Sequence, residues 1–248
     1  MASLSTTQKI LFYYGLSMVV ALAITYLWSW FDLRTLRDVG IWAKPMKFMA
    51  ATAVFCITTV WLTTLVNATV GASAAFKGVA ALIIITSLFE VAYISLQAAR
   101  GEPSHYNKND AFHIFMFALM GVMAVGLTAS QAWLAWLIWS DLGDAPLSAT
   151  TLGVLLGLVL TFVLATVSGF QLGGHQPPSG VGLALVGWHW KNDLRPAHFL
   201  GVHAQQLIPL AGLLAERFLG AHALAGLGSF AAVYLAAWGS LTWLGLVT

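Results

Sequence analysis

A glutamate inside a long apolar run is the residue whose presence most needs a chemical reason. Glu90 begins a series with Tyr93, Gln97 and Arg100 at i, i+3, i+7 and i+10, which puts the four on one stripe of a helix. Glu90 lies about 15 Å of helical rise from Arg100, near the middle of a bilayer. An ionised carboxylate there costs at least ~2.5 kcal/mol unless it is paired or protonated. The stripe must therefore face protein or water. Glu90 reads as a proton carrier, a ligand or an acid/base group in preference to a neutral acid bonded to a neighbouring helix.

Histidines supply the second set. His105, His113, His175, His198 and His203 offer imidazoles for a metal ion such as zinc, iron or copper, with Glu90, Asp110 or Asp193 as oxygen ligands or outer partners. Two histidines from different helices would also suit the axial positions of a haem iron. For any one of them the blander role is a hydrogen-bonded core or interfacial residue. The spacing is not that of a zinc protease: no His-Glu-x-x-His occurs, and His198 to His203 is one residue longer than an i, i+4 pair. In Asp193-Leu194-Arg195-Pro196-Ala197-His198, the acid and the cation read either as a proton handler and a headgroup contact or as an ion pair that caps a helix. Further along, His198 and Gln205 fall nearly in line, with Gln206 and His203 around the same arc. Glu90 and Asp193 are thus the candidate catalytic groups. Gln97, Arg100, Asn107, Arg195, Gln205 and Gln206 are the candidate substrate-binding groups.

The elements that must carry these residues follow from composition. The chain has 248 residues, 59% hydrophobic and only 8% charged, far below the roughly 25% charged of a soluble domain. A bilayer core of about 30 Å needs about 20 apolar residues per helix, so the length allows roughly seven spans and no separate soluble domain. The expected fold is all-α, a polytopic membrane protein forming a single domain over residues 1–248. Spans are expected at Lys9–Trp30, Pro45–Asn67, Ala75–Ala99, Ala111–Trp139, Ser148–Gly169, Ala197–Phe218 and Ala221–Leu246. Pro45, Asp110 and Pro196 mark helix starts. Gly153 and Gly157 form a small-xxx-small pair that predicts close helix packing. The first apolar run is too long for a signal-peptide core and has no small-residue cleavage site after it, so it reads as a span. Cys56 lies alone in an apolar run and reads as small buried filler.

Alternating the spans sorts the loops onto two faces. Face one receives Lys9, Lys77 and Arg217. Face two receives Arg34, Arg37, Lys44, Lys47, Arg100, Lys108, Lys191 and Arg195. The positive-inside rule puts face two in the cytoplasm, with the N-terminus outside and the C-terminus inside a bacterial cytoplasmic membrane. The polar and histidine residues sit at the face-two ends of five segments. The one long connection, Gln171 to Arg195, is on the same side, and its Trp188 and Trp190 read as headgroup anchors. Lys44 and Lys47 also read as interfacial anchors, with anion binding open to them.

Missing signatures narrow the functions, some by exclusion and some only by lack of support. A net charge of +2 with scattered cations is no nucleic-acid footprint. The last span has no lysine for a retinal Schiff base, and the serines lack the glycine pattern of a rhomboid nucleophile. No internal repeat supports an inverted-repeat transporter.

Three marks carry a resemblance. They are Lys44-Pro45-Met46-Lys47-Phe48, then Gln97-x-x-Arg100-Gly101-x-x-Ser104-His105-Tyr106-Asn107, and then Asp193-Leu194-Arg195-Pro196-Ala197-His198-Phe199 with His203 and Gln206. By these the chain resembles a group of small bacterial multi-pass membrane proteins, a resemblance that spans most of its length and implies location but no activity. More loosely it is similar to the seven-span, metal-dependent lipid hydrolases related to alkaline ceramidases, although it lacks their His-x-x-x-His pair in the late spans. The leading expectation is a membrane-embedded enzyme whose face-two histidines bind a metal and whose substrate is an amphiphile or lipid entering from the bilayer. The alternatives are a haem-binding electron-transfer protein, and a proton-coupled transporter or ligand sensor built on Glu90.

Overall fold

Each backbone polar group in a lipid environment needs a partner within its own segment, so the apolar runs become helices. The computed structural model describes residues 4–66, 68–143, 146–183 and 186–247. Its long helices are α1 (Thr6–Trp28), α2 (Ala43–Val66), α4 (Ala74–Arg100), α5 (Ala111–Asp141), α6 (Ala149–Gly174), α7 (Arg195–Leu219) and α8 (Ala223–Leu246). A short helix α3 (Ala68–Ala72) follows α2, and a small antiparallel hairpin, β1 (Thr35–Leu36) with β2 (Val39–Gly40), follows α1. Among the described residues, six apolar stretches are long enough to cross a membrane. The last of them, Arg195–Leu246, is 52 residues long and is folded back on itself by one 3₁₀ turn at Gly220–His222 into α7 and α8. The Tyr234 hydroxyl donates to the Leu200 carbonyl, and the Asn192 amide donates to the Leu244 carbonyl at 3.3 Å. These contacts run the two helices antiparallel, and the protein is an all-α polytopic membrane protein with seven long helices.

Local chemistry sets the helix ends. Ser5 and Gln8 form a capping box at α1, and Ser73, Asp110 and Ser148 accept from the backbone at the starts of α4, α5 and α6. Gly101 closes α4 in the left-handed conformation, φ 74°. In the hairpin, Arg37 and Asp38 both have positive φ, 55° and 64°, as a two-residue mirror-image turn requires. The spans sit where hydropathy puts them. Three features were not expected: α6 continues to Gly174, past the anticipated end at Gly169, α3 lies between the second and third spans, and the β1–β2 hairpin follows α1.

The outside of the bundle is apolar as well as its core, and polar side chains are enclosed. Val122, Val233, Phe115 and Ile85 are exposed on the outside of the bundle, while Thr59, Thr63, Ser87, Gln97, Ser130, Gln131 and Gln205 are enclosed. The closest helix pair is α6 with α7, and small residues explain it, as the Gly153–Gly157 spacing predicts. An added Cβ at Gly153 would stand 3.1 Å from the Ile208 carbonyl, and one at Gly212 would stand 2.4 Å from the Ala149 carbonyl. Gly157 and Gly201 face Pro209 and the Ala165 backbone in the same way.

Candidate functional site

The face-two end is closed by the loop of residues 175–194, and cations from three elements hold it. Arg37 Nη2, from the hairpin, donates to the Pro177 carbonyl at 2.5 Å. Lys47 Nζ, from α2, donates to the Val186 carbonyl at 2.7 Å. Arg195 Nη2, from the start of α7, donates to the Gly187 carbonyl at 2.7 Å. Asp193 is 2% exposed and accepts from the Arg195 guanidinium at 2.7 to 3.0 Å, from the Arg195 amide at 3.0 Å and from the His189 amide at 2.8 Å. Burial pushes this carboxyl up, but the bonds from Arg195 and His189 outweigh it and hold the group below the usual carboxylate range. His175 hydrogen-bonds Asn192, and the Tyr106 hydroxyl donates to the Leu172 carbonyl. Burial pushes the Tyr106 phenol up to about 12.

Beneath this cover lies a set of enclosed polar groups that are not mutually satisfied. Glu90 is 5% exposed, and its Oε1 has no hydrogen-bond partner among the described residues. Gln97 Oε1, Tyr93 Oη, Asn107 Nδ2 and both amide atoms of Gln205 are equally unpartnered. Most buried polar atoms in proteins are paired, so these orphans need explaining, as do those of Gln131 and Trp238 elsewhere in the bundle. Tyr93 and Gln97 are buried with Glu90 on the inward stripe that the sequence predicts, whereas Arg100 at its end is exposed. The charge that acts on Glu90 is Lys44, at the start of α2. Lys44 and Lys47 are one turn apart, yet they diverge: Lys47 reaches up to the loop, and Lys44 lies among Glu90, Arg195 and Arg37. Gln206 donates to Thr58 Oγ1 at 3.3 Å and faces His203 Nδ1 at 3.2 Å, while the Gln205 backbone amide donates to Thr161 Oγ1 at 2.8 Å.

Each of the five histidines expected at a metal has other contacts, and a metal site formed by all five finds no support. Among the described residues, no three His, Cys, Asp or Glu side chains are placed to hold one ion. His113 lies between Asp110 (Nδ1 to Oδ2, 2.8 Å) and Glu102 (Nε2 to Oε2, 3.2 Å). His198 Nδ1 is 3.0 Å from Ser168 Oγ, and His203 packs on Phe199 with ring centroids 4.1 Å apart. His105 sits between Phe48 and Phe117, with Nδ1 3.1 Å from Ser104 Oγ. Burial, and after it the Lys44 charge, hold the His105 imidazole well below its ordinary pKa, so the ring is neutral. A shared membrane face fixes only the depth of these rings and leaves open which of them meet.

One line of groups runs from the surface inward. Asp110 caps α5 and holds His113, the other nitrogen of His113 faces Glu102, and Gln97 Nε2 donates to the same Glu102 oxygen at 3.4 Å. The His113 backbone N–H, and after it the His113 ring, hold the Asp110 carboxyl below the usual carboxylate range.

The structure thus brings Glu90, Gln97, Gln205 and Gln206 into the bundle interior, and it engages Asp193 and Arg195 with each other and with the loop. Lys44 and Glu102 were missed as site residues. Lys44 carried only the signal of an interfacial anchor, because it lies at the start of its span. Glu102 gave none, since it follows the helix end at Gly101. Comparison with known proteins finds no matching family model, no matching curated protein and no matching solved structure.

Proposed function

We propose that this chain is a proton-coupled membrane transporter or ligand sensor in which Glu90 exchanges a proton inside the bundle. The observation that carries this reading is Glu90 itself: an enclosed carboxylate about 15 Å from the end of its helix, with one oxygen unpartnered and one lysine as its acting charge. Such a group is tolerated in two forms, as the counter-charge of Lys44 or as a neutral acid, and moving between them binds or releases one proton. The unpartnered amides of Gln97, Gln205 and Asn107 suit the polar end of a small solute or amphiphile, because a ligand that satisfies them recovers the cost of their burial. The loop of residues 175–194 then serves as the cover on the face-two, cytoplasmic side.

Proteoliposomes loaded with a pH-indicator dye and challenged with panels of polar solutes and short amphiphiles test the reading. Wild-type protein is expected to move protons with at least one solute, and Glu90→Gln is expected to abolish that movement. Retained proton coupling in Glu90→Gln contradicts the proposal.

A further inference from the structure

We propose that protons reach Glu90 from face two along a built path: Asp110, His113 and Glu102 form the mouth, and water anchored by Gln97 and Tyr93 completes the inner part. The inference rests on the proton-exchanging role of Glu90 and adds where its proton comes from.

The mouth is a histidine between two carboxylates. A ring nitrogen makes a favourable contact with a carboxylate oxygen only when a proton lies between them. With Asp110 Oδ2 2.8 Å from Nδ1 and Glu102 Oε2 3.2 Å from Nε2, a second proton lies in the pair of contacts, on His113 or on Glu102, whenever both bonds are made. The site is therefore a place where a proton is stored and passed. It is also graded in exposure: the Asp110 and Glu102 side chains are 54% and 45% exposed, and that of His113 is 12% exposed. Water can deliver a proton at this mouth, and Glu102 turns it toward the interior.

The inner part begins at Gln97. Its Nε2 is directed at the same Glu102 oxygen, 3.4 Å away, and its Oε1 is enclosed and unpartnered. An amide does not readily pass a proton, but it positions a water that does, and the free Oε1 is the acceptor such a water needs. One turn deeper, Tyr93 presents a hydroxyl that is also unpartnered and is both donor and acceptor. One further turn along the same stripe is Glu90 Oε1. Waters bonded to two or more such groups are ordinary constituents of protein interiors. The transfer balances: His113 takes a proton from face-two water, Glu102 passes it inward, the waters shift by one proton each, and Glu90 gains it at Oε1. The charged groups around the path are Arg100 on α4, whose charge reaches Tyr93, and Lys44 on α2, whose charge reaches Glu90. Lys44 also favours release of the proton again, since its ammonium attracts the carboxylate.

The test uses full-length protein in liposomes, an acid jump on face two, and time-resolved infrared spectra of the protonated-carboxyl band that is lost in Glu90→Gln. Glu102→Gln and His113→Gln are each expected to slow growth of that band by about tenfold or more, with its final size and pH midpoint unchanged. Asp110→Asn keeps an N-cap and so keeps the helix start, and it is expected to slow the band by a smaller factor. A merely structural role would move the midpoint or the fold but not the rate alone. Wild-type rates in both Glu102→Gln and His113→Gln overturn the path and leave the role of Glu90 standing. A wild-type band that never titrates overturns the role of Glu90 and the path together.

Discussion

Two seams of this bundle are built on opposite terms. Where α6 meets α7, glycines bring backbones into direct contact, and the Gln205 backbone amide donates to the Thr161 hydroxyl across the seam. Where α4 faces α2 and the loop of residues 101–110, side chains are polar and enclosed, and several of their atoms have no partner. The first seam stabilises by packing, since apolar burial gives helices little reason to associate once they are in lipid. The second leaves enclosed atoms without partners, each at the cost of its lost solvation. The difference separates the packed scaffold from the region of the proposed proton exchange.

That contrast is broken most severely at Gly212. In Gly212→Val the new side chain would collide with the Ala149 carbonyl, 2.4 Å from the first added carbon, and backbone cannot swing aside. We expect a loss of about 3 kcal/mol or more, read as a collapse in folded yield and in thermal unfolding in detergent.

The loop anchor comes next. Asp193→Asn removes the charge that pairs with Arg195 and is expected to cost about 2 kcal/mol, measured by the same unfolding assay and by protease cleavage within the loop of residues 175–194. Its pH dependence has a definite sign. The Asp193 pKa is lowered, so its contribution is fully present above the ordinary carboxylate value of about 4 and is lost as pH falls through the lowered one. The gap between wild type and Asp193→Asn should therefore close only in acid.

The polar seam should respond in the opposite way. The double variant Lys44→Met with Glu90→Leu removes an enclosed carboxylate and its acting charge together. Its stability is expected to lie within about 1 kcal/mol of wild type, or above it, although proton coupling is gone. A large destabilisation would make this seam a structural one. The smallest effect is expected at Gly121, where an added Cβ meets nothing within 4 Å. Gly121→Ala should be neutral or slightly stabilising, up to about 1 kcal/mol, by helix propensity.

Much of the scaffold was legible in the sequence, because length and hydropathy alone dictate helices in lipid. The spans, the inward stripe of Glu90, Tyr93 and Gln97, and the close approach at Gly153 and Gly157 are all periodicity read directly as geometry. The site was legible only in depth. A shared membrane face fixes depth, and nothing in the spacing from His113 to His175 or His203 reports which rings meet. The loop was opaque for another reason: Arg37, Lys47 and Arg195 bond to backbone carbonyls, which every residue has and no pattern marks. Lys44 escaped notice because a lysine at a span end resembles any interfacial anchor until the helix packed against it is known.

The claim that ties these regions together is that Glu90 holds an exchangeable proton within the bundle. Infrared titration of the reconstituted protein tests it most directly, comparing wild type with Glu90→Gln as the pH is changed. The account predicts a protonated-carboxyl band that appears and vanishes with pH in the wild type and is missing from Glu90→Gln. An identical titrating band in both proteins, or no titrating band in the wild type, would contradict it.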